Sequence, residues 1–363
     1  MDRKKIGVVV HGPEIIDSGW AEEIIDLLET KGDVKAKLGG TMGRTAVIDA
    51  SLENRIDITE RLRPSESVRK LSEEVDELYL LNYGKSKETG HAFGRLVMFH
   101  VGRLEIPLVQ IERPGDTDGT ILPWTEGSRK LALEMAEDLG ISVVPPPKIE
   151  ESVKRSDGKI YRRLSGVYPD EVILINGVVI GKANSEYVEI VSENNRICEI
   201  NGGVVKEHGI EKLGDVDLES AIIKTGILRR TKRRPRVLEK EKSGKAVIID
   251  HCAESTFEIA KGADIAVTIG DDTTDIAGDL MYRFGIPIIG ITDGDIDKIV
   301  PDTHIAPGSI IVQLKEGYDD EIGRRIKREI FEDRDTIDIE DVSDLKDRVL
   351  KIARDKIDEV RSY

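Results

Sequence analysis

Between Ile286 and Asp297 the sequence reads IPIIGITDGDID, an apolar run that stops abruptly in Asp293, Asp295 and Asp297. A run of this length reads as a buried strand, so the acids fall at its carboxyl end, where parallel sheets bind ligands. Carboxylates crowded this closely repel one another and settle together around a hard cation such as Mg²⁺. Two upstream apolar runs end the same way. One stops at Asp250 and continues into His251, Cys252, Ala253 and Glu254; the other stops at Gly270 and continues into Asp271, Asp272, Thr273, Thr274 and Asp275. Asp293, Asp295, Asp297, Glu254 and Asp250 are therefore the candidate metal ligands, and Mg²⁺ is the cofactor they imply. The competing reading is that Asp-Gly is turn chemistry and that the acids are solvated helix caps, Asp271 or Asp272 among them.

A second constellation lies near the start of the chain. Gly39-Gly40-Thr41-Met42-Gly43-Arg44-Thr45-Ala46 follows one apolar run and opens an expected helix. Glycines let the backbone approach an anion, and the N–H groups of a helix start, with Arg44 and Thr45 beside them, can hold it. Its spacing is not the dinucleotide fingerprint. Gly84-Lys85-Ser86 is not a P-loop either, because Tyr79 stands where the first Gly should be. His11, the segment Asn82 to His91 with Lys85, and Arg113 are expected to open on the same edge, so Gly39, Gly40, Thr41, Gly43, Arg44, Thr45, His11, Lys85, His91 and Arg113 form the candidate ligand set. The ligand they suit carries a phosphate or carboxylate. The bland alternative is that the glycines only shape tight turns.

Other candidates weigh less. Cys252 beside His251 suggests a nucleophile, but adjacent side chains diverge and no third partner is visible, so a buried small thiol is the favoured reading. Cys198 reads as a strand residue. The basic run from Arg229 to Arg236 lacks interleaved aromatics, in a chain with only 4% aromatic residues to stack on bases. It is read as a solvated linker or as a clamp on acidic surface, the protein's own or a partner's.

The elements that must position these residues follow from hydrophobic periodicity. From Ile6 to Val144 short apolar runs alternate with amphipathic segments, the pattern of a parallel sheet with crossover helices. Ser18 is placed as the cap of the helix that carries Trp20, Ile24, Leu27 and Leu28. Pro145-Pro146-Pro147 ends this region. The middle has a different rhythm: Asn176-Gly177 between β-branched runs is a strong hairpin signal, and Asn194-Asn195 and Asn201-Gly202-Gly203 punctuate further runs. A helix is expected around Leu218 to Leu228, then a second strand-and-helix alternation from Val247. A final helix is expected from Val342, with Leu345, Val349, Ile352 and Val360 near one face.

The expected fold is α/β: an N-terminal parallel-sheet domain of the Rossmann or flavodoxin-like kind (1–147), a small antiparallel β unit (155–212) and a second α/β parallel-sheet domain (213–363). A chain of 363 residues exceeds what one core serves. A net charge of −16 disfavours nucleic acid and anionic lipid as partners. Two cysteines far apart argue for a reducing compartment, and no apolar stretch is long enough to span a membrane, so a cytoplasmic location is expected. Only two glutamines, Gln110 and Gln313, amid abundant Glu, Lys and Arg match the composition of proteins that work hot. A homo-oligomer is left open.

The layout from Val247 to Asp297, with an acid after the first strand and Asp-x-Asp after the third, resembles the Toprim domain of primases and topoisomerases. In that family the acids hold Mg²⁺ for phosphodiester chemistry; the matching positions here are Glu254 or Asp250, then Asp293 and Asp295, although the usual Glu-Gly pair after the first strand is absent. Over nearly its whole length, through IGVVVHGPEIIDSG, LGGTMGRTAVIDA and IGDDTTDIAGDLMYRFGIPIIGITDGDID, the chain also resembles an archaeal family, found mainly in methanogens, that is known only as a domain of unknown function. That resemblance implies an archaeal, cytoplasmic setting and transfers no mechanism. The residues themselves point to a Mg²⁺-dependent enzyme acting on a phosphorylated metabolite, a nucleotide or a polynucleotide. The alternative is a non-catalytic nucleotide- or anion-binding regulatory or assembly protein.

Overall fold

Strands that are apolar at every position, such as Val8-Val9-Val10 and Leu78-Tyr79-Leu80-Leu81, bury both faces only in a sheet covered by helices on both sides. The computed structural model describes residues 3–148, 153–226, 229, 231, 234–238, 243–250, 256–260, 262–294 and 304–363. They form two units: unit 1 is Met1–Pro169, Ala183–Gly203 and Arg229–Pro235, and unit 2 is Asp170–Lys182, Val204–Leu228 and Arg236–Tyr363.

In chain order unit 1 begins with β1 (Lys5–His11), α1 (Glu14–Asp17), α2 (Trp20–Lys31), β2 (Asp33–Gly39), α3 (Arg44–Asp49), β3 (Ile56–Asp57), α4 (Pro64–Ser72) and β4 (Glu77–Asn82). It continues with α5 (Lys87–Val101), β5 (Leu108–Glu112), β6 (Thr120–Pro123), α6 (Ser128–Leu139) and β7 (Ser142–Val143). The strands make one sheet in the order β3-β2-β1-β4-β5-β6-β7. Pairing is parallel except where β6 runs against β5. Val9, Leu78, Leu80 and Leu108 pack under Val68 and Leu71 of α4 and Val97, Met98 and Val101 of α5. Ser18 does not cap α2. Gly19 takes that place at φ 87°, and the Ser18 hydroxyl donates instead to the Ile15 carbonyl.

The middle of the chain supplies β8 (Val153–Ser156), β9 (Lys159–Leu164), β10 (Val172–Ile175), β11 (Val178–Ala183), β12 (Val188–Glu193), β13 (Arg196–Asn201), β14 (Gly203–Val205), α7 (Glu207–Leu213) and β15 (Ile223–Thr225). The expected antiparallel unit is two four-stranded sheets, β13-β12-β9-β8 and β14-β11-β10-β15. The first belongs to unit 1; the second belongs to unit 2 apart from its end residues Ala183 and Gly203. Asn176 and Gly177, both at positive φ (50° and 89°), turn β10 into β11, as the type I′ signal requires. The helix expected around Leu218 to Leu228 does not form over its described part. The Asp217 side chain accepts from the Glu219 N–H and the Ser220 hydroxyl, a local turn that competes with helix, and Ile223–Thr225 then pairs antiparallel with β10.

Unit 2 is completed by β16 (Lys245–Asp250), α8 (Thr256–Ala260), β17 (Ile265–Ile269), α9 (Asp271–Arg283), β18 (Ile288–Thr292), β19 (Ile310–Leu314), α10 (Asp319–Glu329), β20 (Thr336–Asp338), α11 (Val342–Ala353) and β21 (Ile357–Ser362). The sheet order is β20-β16-β17-β18-β19-β21, four parallel strands between two antiparallel edges. One face packs Ile248, Val267 and Ile289 on Ile322, Ile326, Leu345 and Val349; the other packs Val247, Ala266 and Ile288 on Ala277 and Met281. The final helix stops at Ala353. Val360, expected on its face, lies in edge strand β21 and is exposed, because pairing with β19 satisfies backbone groups that a longer helix would leave at an open sheet edge.

Candidate functional site

In unit 1 the strand order reverses between β1 and β4: the chain fills one side of β1 with β2 and β3, then crosses to the other. Such a reversal leaves a crevice outside the carboxyl ends of the strands, where doubly wound sheets bind ligands. Three polar residues stand there in register. His11 ends β1 opposite Asn82, which ends β4, and Asn82 stands opposite Glu112, which ends β5. His11 Nδ1 lies 2.7 Å from Asn82 Oδ1, and Asn82 Nδ2 donates to Glu112 Oε2 at 2.8 Å. The His11 ring stacks on Phe93, with centroids 3.9 Å apart.

The row continues inward. Glu112 also accepts from the Gly84 N–H at 2.6 Å and from Gln110 Nε2 at 2.8 Å, while Trp124 Nε1 donates to Gln110 Oε1 at 2.9 Å. Glu112 and Gln110 are fully buried. Burial pushes the Glu112 carboxyl up to about 7, against the three N–H donors and nearby Arg113, which favour the charged form. Gly90 and Gly94 of α5 pass directly over the Glu112 and Gln110 side chains, and a Cβ at either position would overlap them. Asn82, Gln110 and Glu112 were absent from the candidate set. Their signal was polar residues inside otherwise apolar strands, LLN and LVQIE, together with two glycines four apart in a helix.

Of the expected ligand set, His11, Lys85 and Arg113 lie at this edge. Arg113, itself at positive φ (50°), donates to the carbonyls of Gly84 (2.7 Å) and Lys85 (3.3 Å) and pairs with Asp116 and Asp118, tying the loop after β4 to the loop after β5. Lys85 Nζ lies 5.8 Å from the Tyr168 ring centroid. His91 hydrogen-bonds Thr120 at 2.8 Å; burial and neighbouring Lys87 hold its pKa below the ordinary imidazole value. In the glycine loop, Gly43 packs 3.1 Å from the Gly12 carbonyl oxygen and Gly39 2.9 Å from Pro64 Cα, both measured from a built Cβ, whereas Gly40 turns at φ 89° with open space around it. Thr41 is half-buried. Arg44 is buried, only 2% exposed, and donates to the Glu60 carbonyl, and Thr45 Oγ1 lies 3.4 Å from Arg229 Nη1. Arg44 thus points its charge into the unit, and Thr45 is engaged by the first residue of the basic run. Arg229 itself bridges Asp17 and Asp49, whose carboxylates are essentially inaccessible; Thr231 also bonds Asp17.

Unit 2 has an acidic carboxyl edge of its own. Asp271, after β17, accepts from the amides of Asp293 (2.9 Å) and Gly294 (3.2 Å), which follow β18; Asp293 in turn accepts from the Gly317 amide, which follows β19, at 2.8 Å. Each acid thereby stitches its strand end to the next. Burial and the adjoining Asp293 carboxyl raise Asp271 to about 6. Asp319, buried at the start of α10, sits 3.5 Å from Lys212 Nζ. A small open cleft is lined by Lys206, His208 and Lys212 together with Asp271, Asp272 and Asp293. Asp250 ends β16 at the same edge. Asp295, Asp297 and Glu254, like His251 and Cys252, lie outside the described residues. Among the described residues no group of three or more His, Cys, Asp or Glu side chains could hold a metal ion, and no helix is long and apolar enough to cross a membrane.

Residues 8–334 match the family described as "Uncharacterized protein conserved in archaea (DUF2117)". The chain belongs to this archaeal family. It is also 49% identical over 335 residues to "Uncharacterized protein MJ0065" of Methanocaldococcus jannaschii, a match that covers 90% of this chain and 91% of that protein. No solved structure matches the chain. The family thus supplies a lineage and leaves the chemistry to the residues.

Proposed function

We propose that the crevice between β1 and β4 of unit 1 binds a small phosphorylated metabolite or nucleotide. The observation that carries this reading is the in-register row His11, Asn82 and Glu112 at the point where strand order reverses. An anion is favoured because β4 leads through Gly84, Lys85 and Ser86 into α5, a 15-residue helix whose first amides lie at this edge. The test is a thermal-shift screen of nucleotides and phosphorylated metabolites on the intact chain. At least one compound should raise Tm, and Lys85→Ala should diminish that shift. A panel without any shift overturns the reading.

A second reading places Mg²⁺ at the acidic edge of unit 2. What favours it is that the Asp271 and Asp293 carboxyls adjoin, Asp293 helping to raise the Asp271 pKa, and like charges so close settle around a proton or a cation. Mg²⁺ or Mn²⁺ should then bind wild type and bind Asp293→Asn far more weakly; equal affinity removes this reading. A polynucleotide ligand is disfavoured. Arg229 spends its charge on Asp17 and Asp49, in keeping with a clamp on the protein's own acids.

A further inference from the structure

We propose that β21 is a dimerisation edge. It pairs antiparallel with β21 of a second copy of this chain, centred on Val360, so that the sheet of unit 2 continues across a two-fold axis.

Among the described residues β21 is the outermost strand on its side of the sheet. Every residue from Asp358 to Tyr363 is exposed, Val360 by 42%. Along an antiparallel edge strand the peptide groups point alternately toward the neighbouring strand and away from it. The Tyr363 N–H donates to the Ser309 carbonyl at 3.1 Å and the Tyr363 carbonyl accepts from the Gly308 N–H at 2.8 Å, so Tyr363 faces inward. The register then runs unbroken from Ser362 opposite Ile310 to Glu359 opposite Gln313. Arg361 and Glu359 therefore face inward as well, and the N–H and C=O groups of Val360 and Ser362 face out. Such an outward row of donors and acceptors is a template for another strand.

The charges say which strand fits. Glu359 and Arg361 lie two apart, so their side chains share a face of the sheet, where they form an ion pair at 3.3 Å. Antiparallel self-pairing centred on Val360 sets Val360 opposite the partner's Val360, Glu359 opposite the partner's Arg361 and Arg361 opposite the partner's Glu359. Moving the centre by one residue instead sets Glu359 against the partner's Glu359, or Arg361 against the partner's Arg361. Opposite charges directly across a ladder stabilise it and like charges destabilise it, so a single register is selected. The pairing is isologous and closes at two copies. The register shift at Leu314 ends the regular stretch at Glu359, so the ladder is short and the dimer should be weak and concentration-dependent.

The test is the association state of the intact chain. Sedimentation velocity from low to high micromolar concentration should show wild type passing from monomer to dimer. Over the same range hydrogen exchange should slow at the Val360 amide and stay unchanged at the Arg361 amide, which already faces β19. Glu359→Arg and Arg361→Glu each place like charges across the axis and should weaken dimerisation about ten-fold. Mixed in equal amounts, these two variants meet with opposite charges and should dimerise with each other as wild type does, a result that damaged protein cannot give. Wild type that stays monomeric overturns the proposal. So does a dimer whose Val360 amide exchanges alike at all concentrations, or one that each reversed variant forms alone as well as wild type does, because another surface then holds it. The wild-type readings stand whether or not a variant folds.

Discussion

Gly90 lies where the carboxyl group of Glu112 leaves no room for a side chain: a Cβ built at position 90 overlaps the carboxyl carbon and both oxygens. Helix α5 can cross the buried Asn82–Glu112–Gln110 row only because it is bare there. Gly90→Ala sets a gain in helix propensity of about 1 kcal/mol against overpacking that costs about 1–3 kcal/mol and displaces a buried, hydrogen-bonded group. The overpacking should win. Urea denaturation is expected to show a net loss of stability, with Gly94→Ala behaving alike because its Cβ would overlap Gln110. A stabilised Gly90→Ala would show that the helix does not ride on the carboxyl group.

The pH dependence of stability should carry a Glu112 signature. Its carboxyl is raised from 4.5 to about 7 by burial, so between these values the folded protein binds a proton that the unfolded chain has released. By linkage, the group's contribution is fully present below about 4.5 and is lost as pH rises toward 7. Asp271, raised to about 6, contributes with the same sign. Chemical denaturation from pH 5 to 8 should therefore show a falling component of a few kcal/mol that is partly flattened in Glu112→Gln. Identical slopes in the two proteins would place the carboxyl pKa near its ordinary value.

Arg229 is the counter-ion of two carboxylates whose side chains are 1% and 0% exposed, Asp17 and Asp49. Removing it leaves buried charge without its partner, a change that costs about 3–5 kcal/mol. Arg229→Met should lower Tm strongly, and Arg229→Lys should recover only part of the loss, since one ammonium cannot reproduce the paired bonds to Asp17 at 2.6 and 2.7 Å. If both variants match wild type in thermal and urea denaturation, the clamp does not form in solution.

The acid-to-amide stitches of unit 2 predict a graded response at Asp271. Asp271→Ala strips the acceptor from the amides of Asp293 and Gly294, a loss of about 1–3 kcal/mol; Asp271→Asn keeps one oxygen and should be milder. Hydrogen exchange reads this directly. Those two amides should exchange faster in the Ala variant, while the β18 strand beyond them stays protected.

Much of the fold was legible in local order. The alternation of apolar runs and amphipathic segments, the Asn176-Gly177 turn and the acids at strand ends all follow from short-range periodicity and turn chemistry, which a linear sequence displays. The two misplaced helices show the limit. Residues 218–228 and 357–362 have helical spacing, yet β15 and β21 are strands because β10 and β19 offer partners far away in the chain. The candidate site was half visible: His11, Lys85 and Arg113 are punctuating polar residues and stand out. Glu112 and Gln110 do not, because a buried polar residue acquires meaning only from the donors and acceptors that surround it, and Asn82 with Gly84, Gly90 and Trp124 reach them from three separate segments. Which direction Arg44 faces, and that Arg229 is spent on Asp17 and Asp49, were likewise decided by packing. Residue type states what a side chain can do, and only the tertiary neighbours determine which of its hydrogen bonds and charges are already taken.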